Sequence, residues 1–241
     1  MGENEEIGVG LYLFCLISQQ PAEVYNPRKN FPKTLFAIIV INVLIFLFEI
    51  GLDKIELLKF LHAFGLTPSH FPSVESVYTL VTYSFLHSSW SHLLINMYIL
   101  WIFGDNVNDL FFDFGEKLRS IKFFSFYLTI VVISGLTHLF LTINSPIMSD
   151  IVLVGASGGV SGMIASYWRL FPKSELFQVI FFYPFKIPVW IYAFLWLLIN
   201  FSLAVNYGSS SSISWQAHLG GFVAGYFLIP YFLPFDIKEL E

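Results

Sequence analysis

The chain has 241 residues, of which 56% are hydrophobic, 19% aromatic and 12% charged, with a formal net charge of -5. A soluble domain carries about 25% charged residues, because charge keeps its surface hydrated. Half that share, with 28 Phe and a mean hydropathy of +0.70, excludes a soluble enzyme, a disordered chain and a nucleic-acid binder with a basic face, and leaves a polytopic membrane protein.

The acidic residues 1–6 and the apolar 7–17, which run into Gln19-Gln20-Pro21, lack the basic flank and small-residue site of a signal peptide. The apolar part falls short of the roughly 20 residues that cross a bilayer as a helix and is expected to be an interfacial or loosely packed cytoplasmic segment. Its Cys15 has no second cysteine to pair with and is expected to be inert. Six later segments have spanning length and apolarity: 34–51, 90–107, 123–141, 157–171, 187–203 and 217–233. They lack the two-residue alternation of barrel strands and read as helices that satisfy their own backbone hydrogen bonds. The expected fold class is an all-α membrane protein with one six-helix domain over 34–234, a cytoplasmic segment at 1–33 and a short cytoplasmic tail at 235–241.

The basic residues set the orientation. Arg28, Lys29, Lys33, Lys117, Arg119, Lys122, Arg169, Lys173, Lys186 and Lys238 fall on one side of these spans, and only Lys54 and Lys59 on the other. By the positive-inside rule both termini are cytoplasmic, in a multi-pass protein expected in the cell membrane. In the first outer loop, 52–89, Ile55, Leu58, Leu61 and Phe64 recur at helical spacing, which predicts a short amphipathic helix in the outer interface. The last outer loop is serine-rich over 206–214 and is either a loose flap or a plain connector.

Polar groups at membrane depth are costly and therefore candidates for function. Three clusters gather at outer helix ends. Gly155-Ala156-Ser157-Gly158 opens the fourth span, where a serine at a helix N-terminus has free amide donors beside it; taken alone, its glycines also suit tight helix packing. Ala217-His218-Leu219-Gly220-Gly221, with Gly225, opens the sixth span, so a glycine face there can press on the fourth helix and bring His218 to the depth of Ser157. His87, His92 and Asn96 lead into the second span, with His92 and Asn96 one turn apart on one face, an arrangement suited to a developing negative charge. A metal site on His87, His92 and His218 is the rival reading. No Glu accompanies the histidines in the His-Glu-x-x-His manner and no intramembrane carboxylate is expected nearby, so neither metal nor cofactor is expected. His138, in the third span, reads as a core residue.

Together, Phe85-Leu86-His87, His92-Leu93-Leu94-Ile95-Asn96-Met97, Phe103-Gly104, Gly155-Ala156-Ser157-Gly158 and Ala217-His218-Leu219-Gly220-Gly221-Phe222 resemble the rhomboid family of intramembrane serine proteases, over about 26–233. The resemblance implies a six-helix rhomboid-like bundle with a serine–histidine dyad and no carboxylate. It makes Ser157 the nucleophile and His218 the general base. His92 and Asn96 become oxyanion donors, His87 a structural histidine, and Gly155, Gly158, Gly221 and Gly225 supporting residues. It implies transmembrane protein substrates, a site opening to the extracytoplasmic side, and no nucleic-acid partner. A rhomboid-like binding protein without catalysis is the alternative. The chain departs from the family pattern at Asn108, and at Ser161, where studied members carry an aromatic residue beside the histidine. Ser161 is expected to hydrogen-bond His218 and fix its tautomer.

Overall fold

A computed structural model describes residues 22–23 and 31–235, save 72, 74–75, 112–113, 181–182 and 208–213. The expected interfacial or cytoplasmic segment 7–17 with Cys15, and most of the serine-rich loop, lie outside the described residues. In chain order the elements are β1 (Ala22–Glu23), α1 (Lys33–Glu49), α2 (Lys54–Phe64), α3 (Thr79–Thr82), α4 (Trp90–Asp109), α5 (Glu116–Thr142), α6 (Ser157–Leu170), β2 (Glu175–Ile180), β3 (Tyr183–Pro188), α7 (Val189–Tyr207) and α8 (Trp215–Phe232). A helix stands at each of the six apolar segments. Two stretches, Lys117–Thr142 in α5 and Val189–Asn206 in α7, are long and apolar enough, by length and composition, to cross a membrane.

Local chemistry accounts for several helix starts. Asp53 Oδ1 accepts the amides of Ile55 (2.8 Å) and Glu56 (2.9 Å), while Glu56 Oε2 accepts the Asp53 amide (3.3 Å), a capping box that opens α2. This is the amphipathic helix read from the sequence, and its Ile55 and Leu58 are exposed. Ser89 caps α4 by accepting the His92 amide at 3.2 Å, and Ser214 caps α8 by accepting the Ala217 amide at 3.2 Å.

Helix α6 occupies the centre, with residues 158–167 all buried and its most extensive packing against α8. Around it Phe103, Phe126, Tyr127, Ile130, Val160, Met163 and Tyr167 form one core. The outer helix faces carry exposed apolar side chains, among them Leu44, Phe140, Phe201, Phe227 and Tyr231. Large apolar faces of this kind are what a helix presents to lipid, and few soluble monomers carry them.

One element departs from the all-α expectation. The basic loop between α6 and α7 forms a β-hairpin, with Glu175 opposite Pro188 through Ile180 opposite Tyr183, and β1 adds a third antiparallel strand. Its six-residue strands flank Phe181-Phe182, which has none of the Asn-Gly or Asp-Gly signal that marks a hairpin in a sequence.

The segment that enters α6 is tied down from two sides. Leu66 and Leu153 exchange amide–carbonyl bonds of 2.9 and 3.0 Å, and the Gly155 amide donates to Tyr83 O at 2.9 Å. The Tyr83 hydroxyl in turn donates to Val131 O of α5 at 2.9 Å. Leu66 and Tyr83, both between α1 and α4, thus fix the backbone immediately before Ser157.

Candidate active site

Ser157 is the first residue of α6, two residues after Gly155, whose φ of +122° lies where side-chain-bearing residues are strained. A Cβ on Gly155 would also stand 2.7 Å from His92 Nε2 and 3.8 Å from Ser157 Oγ. The serine hydroxyl and the imidazole therefore border one small space, and glycine is needed there both for the turn and for the close approach.

His92 reaches this space from the first turn of α4, and Asn96 follows it one turn later. The Ser88 amide lies 3.5 Å and its hydroxyl 3.1 Å from His92 Nδ1. A backbone amide only donates, so this contact favours the tautomer with Nδ1 as acceptor and the proton on Nε2, the nitrogen beside Gly155. Asn96 is buried and donates one amide hydrogen to His92 O at 2.9 Å, which fixes the carboxamide and leaves its second N–H. Next to them the buried His87 ring meets His92 edge to face with centroids 5.0 Å apart, and both its nitrogens lack partners among the described residues. Burial first, and then the neighbouring His92, push His87 down to about 3, so it is a neutral packing group. Contrary to the expectation of no nearby carboxylate, Glu49 at the end of α1 accepts the His87 amide at 3.2 Å. Its place 38 residues earlier in the chain hid this from sequence reading. Among the described residues no group of three His, Cys, Asp or Glu is arranged to hold a metal ion.

His218 is delivered by the packing of α8 on α6. A Cβ on Gly221 would run into the Gly158 carbonyl and one on Gly225 into the Gly162 carbonyl, so both pairs meet backbone to backbone. Hydroxyls then latch the start of α8 to its neighbours. Ser134 of α5 donates to Ala217 O at 2.8 Å, and Ser161 of α6 donates to His218 O at 2.8 Å. His138 Nδ1, at 2.8 Å from the capping Ser214 hydroxyl, supports the same turn, which gives this core histidine a definite place.

Ser161 thus meets His218 at its carbonyl, not at its ring. The ring is held from α7 by two residues that the sequence reading passed over. Asn200 Oδ1 lies within hydrogen-bond distance of His218 Nδ1, and the Trp196 indole packs beside the imidazole with centroids 5.6 Å apart. Trp196 Nε1 also donates to Ser161 Oγ at 2.9 Å. The aromatic neighbour absent at Ser161 is therefore supplied by a different helix. Polarity within an apolar helix was the available signal for Asn200, whose neighbours Leu197, Leu198, Ile199 and Phe201 are all apolar. Among the described residues Ser157 Oγ has no hydrogen-bond partner, and catalytic hydrogen bonds are often long before a substrate tightens them.

Ser157, entered through a glycine, borders the His92 imidazole, while His218 is latched to α6 through its carbonyl and Asn96 follows His92 on α4. A family model described as "Rhomboid domain" matches residues 74–235, the stretch that contains all four. The chain belongs to the rhomboid family. This rhomboid is also 28% identical over 207 residues to "Rhomboid protein 1, mitochondrial" of Saccharomyces cerevisiae, an alignment that covers 82% of this chain and 53% of that protein. The chain therefore spans about half the length of that relative. As a rhomboid it is a membrane protein.

Proposed function

We propose that this rhomboid is an intramembrane serine endopeptidase that cleaves other membrane proteins in or near their transmembrane segments. The convergence of the Ser157 hydroxyl and the His92 Nε2–H on the space beside Gly155 carries this reading, since a nucleophile and an oxyanion donor must sit within about 3 Å of one reacting carbonyl.

Ser157 attacks the carbonyl carbon of the scissile bond while His218 takes the hydroxyl proton, forming a tetrahedral adduct. The developing oxyanion receives hydrogen bonds from His92 Nε2–H, the second N–H of Asn96 and the Ser157 amide at the free N-terminus of α6. His218 then returns its proton to the departing amine, and a water repeats the cycle on the acyl-enzyme. A substrate helix has to unwind to present its carbonyl, which favours small or helix-breaking residues at the cut.

The six helices α1 and α4–α8 are read as six spans, with the basic-rich ends and both termini on the cytoplasmic side. Ser157 then lies near the outer face. Helix α6 has 14 residues, about 21 Å of rise against a hydrocarbon core of about 30 Å, so water reaches Ser157 from a cavity open to the outside.

The catalytically inactive binding module is the second reading, and a binder requires neither a proton held on His92 Nε2 nor a nucleophile at a bare helix start. Purified protein incubated with several single-span reporters in detergent and in liposomes is expected to cut at least one, and a fluorophosphonate is expected to label Ser157. Absence of both cleavage and labelling would favour the binding module. His92→Ala and Asn96→Ala are each expected to lower kcat by about 10²- to 10³-fold with little change in KM, because their donors act on charge that appears only in the transition state. A KM effect without a kcat effect would reassign them to substrate binding.

A further inference from the structure

Asn200 is buried in the middle of α7, a helix whose other faces carry exposed Phe194, Leu198, Ile199 and Phe201. A carboxamide in such a helix is costly unless its groups are used. Both are used here. Nδ2 donates back to Trp196 O at 2.8 Å, which fixes which way the amide points, and Oδ1 faces His218 Nδ1. An amide oxygen can only accept, so the hydrogen of this bond belongs to the imidazole, and Nδ1 is its protonated nitrogen. The other ring nitrogen, Nε2, is then left with its lone pair, as a base requires. Trp196, one turn earlier on α7, lies beside the same ring and anchors to Ser161.

We propose that Asn200 is the positioning residue of the catalytic histidine, so that Ser157, His218 and Asn200 act as a serine–histidine–asparagine triad drawn from α6, α8 and α7. The inference rests on the protease reading for its consequence, and on geometry alone for the tautomer. Held through Nδ1, the ring keeps its orientation through proton uptake and return, and the imidazolium that forms is stabilised by the same oxygen. Among the described residues, His92 of α4 is a titratable neighbour of His218.

The test uses the full-length protein with histidine labelled by nitrogen-15, the His218 signals being assigned with His218→Gln. Wild-type His218 is expected in the Nδ1–H form, and Asn200→Leu, which keeps the volume and removes the acceptor, is expected to move it toward the Nε2–H form. In a reporter assay Asn200→Leu is expected to lose about 10- to 100-fold in kcat with KM within about twofold. Asn200→Asp is expected to restore most of this loss and to shift the acidic limb of the pH–rate profile to higher pH, since a carboxylate favours the imidazolium. An Nε2–H tautomer in wild type, or a tautomer unchanged in Asn200→Leu, would overturn the proposal, and the wild-type spectrum decides even if the variant does not fold. Absence of both reporter cleavage and fluorophosphonate labelling in wild type would instead remove the protease reading and leave the tautomer assignment standing.

Discussion

Ser157→Ala and His218→Ala are each expected to lower reporter cleavage by about 10⁴- to 10⁶-fold, and the double variant to be no worse than either single one. The reason is that the two groups act as a unit. Without the hydroxyl there is no acyl-enzyme, and without the imidazole a serine of ordinary acidity is too weak a nucleophile to attack an amide. Residual turnover would come from the donors on His92 and Asn96 and from substrate binding. Ser157 sits where side-chain loss costs little structure, since its hydroxyl has no hydrogen-bond partner among the described residues, whereas loss of the His218 ring leaves the buried Asn200 Oδ1 without its partner. Thermal unfolding of Ser157→Ala in detergent should therefore stay near that of wild type, while His218→Ala should unfold at a lower temperature. Cleavage by Ser157→Ala at the wild-type rate would end the serine-protease reading.

The largest effect on stability is expected at the α6–α8 contact. Gly221→Val and Gly225→Val each drive a side chain into a backbone carbonyl, that of Gly158 or Gly162. A backbone carbonyl inside two packed helices cannot rotate away as a side chain can, so the helices must separate and surrender van der Waals contacts along the seam. Each substitution should cost about 4 kcal/mol or more, the range reserved for disrupted cores. Because the same seam sets the height of His218 against Ser157, fluorophosphonate labelling should fall with it. Gly51→Ala is the matched control, since its Cβ would make only an ordinary 3.4 Å contact with Phe48 O, and its cost should stay within about 1 kcal/mol. Equal unfolding midpoints for Gly221→Val and Gly51→Ala would show that the glycine seam is not what holds α8 in place.

Several parts of this molecule were legible before any coordinates. The run of apolar residues around α4 or α8 is visible because a helix in lipid has to be apolar on most sides, and the amphipathic α2 is visible because Ile55, Leu58, Leu61 and Phe64 keep its period. Ser157, His218, His92 and Asn96 stood out because polar groups at depth are rare. The hairpin β2–β3 was not legible, since its partners are set by pairing across Phe181-Phe182 and not by any alternation or turn dipeptide. Glu49 lies within the first apolar segment, 34–51, and only the folded chain brings its carboxylate to the His87 amide.

By itself, then, the sequence determined a membrane chain of apolar helices with a serine and a histidine on glycine-rich helix starts, because lipid punishes misplaced polar groups and so makes each retained one conspicuous. The tertiary structure alone decided what those groups face. It placed His92 Nε2 against Gly155, turned Ser161 to the His218 carbonyl, and brought Asn200 and Trp196 of α7 to the imidazole ring. A hydrogen bond between helices depends on the rotation and depth of each, and those are fixed by packing at the glycine seam, which no single segment encodes.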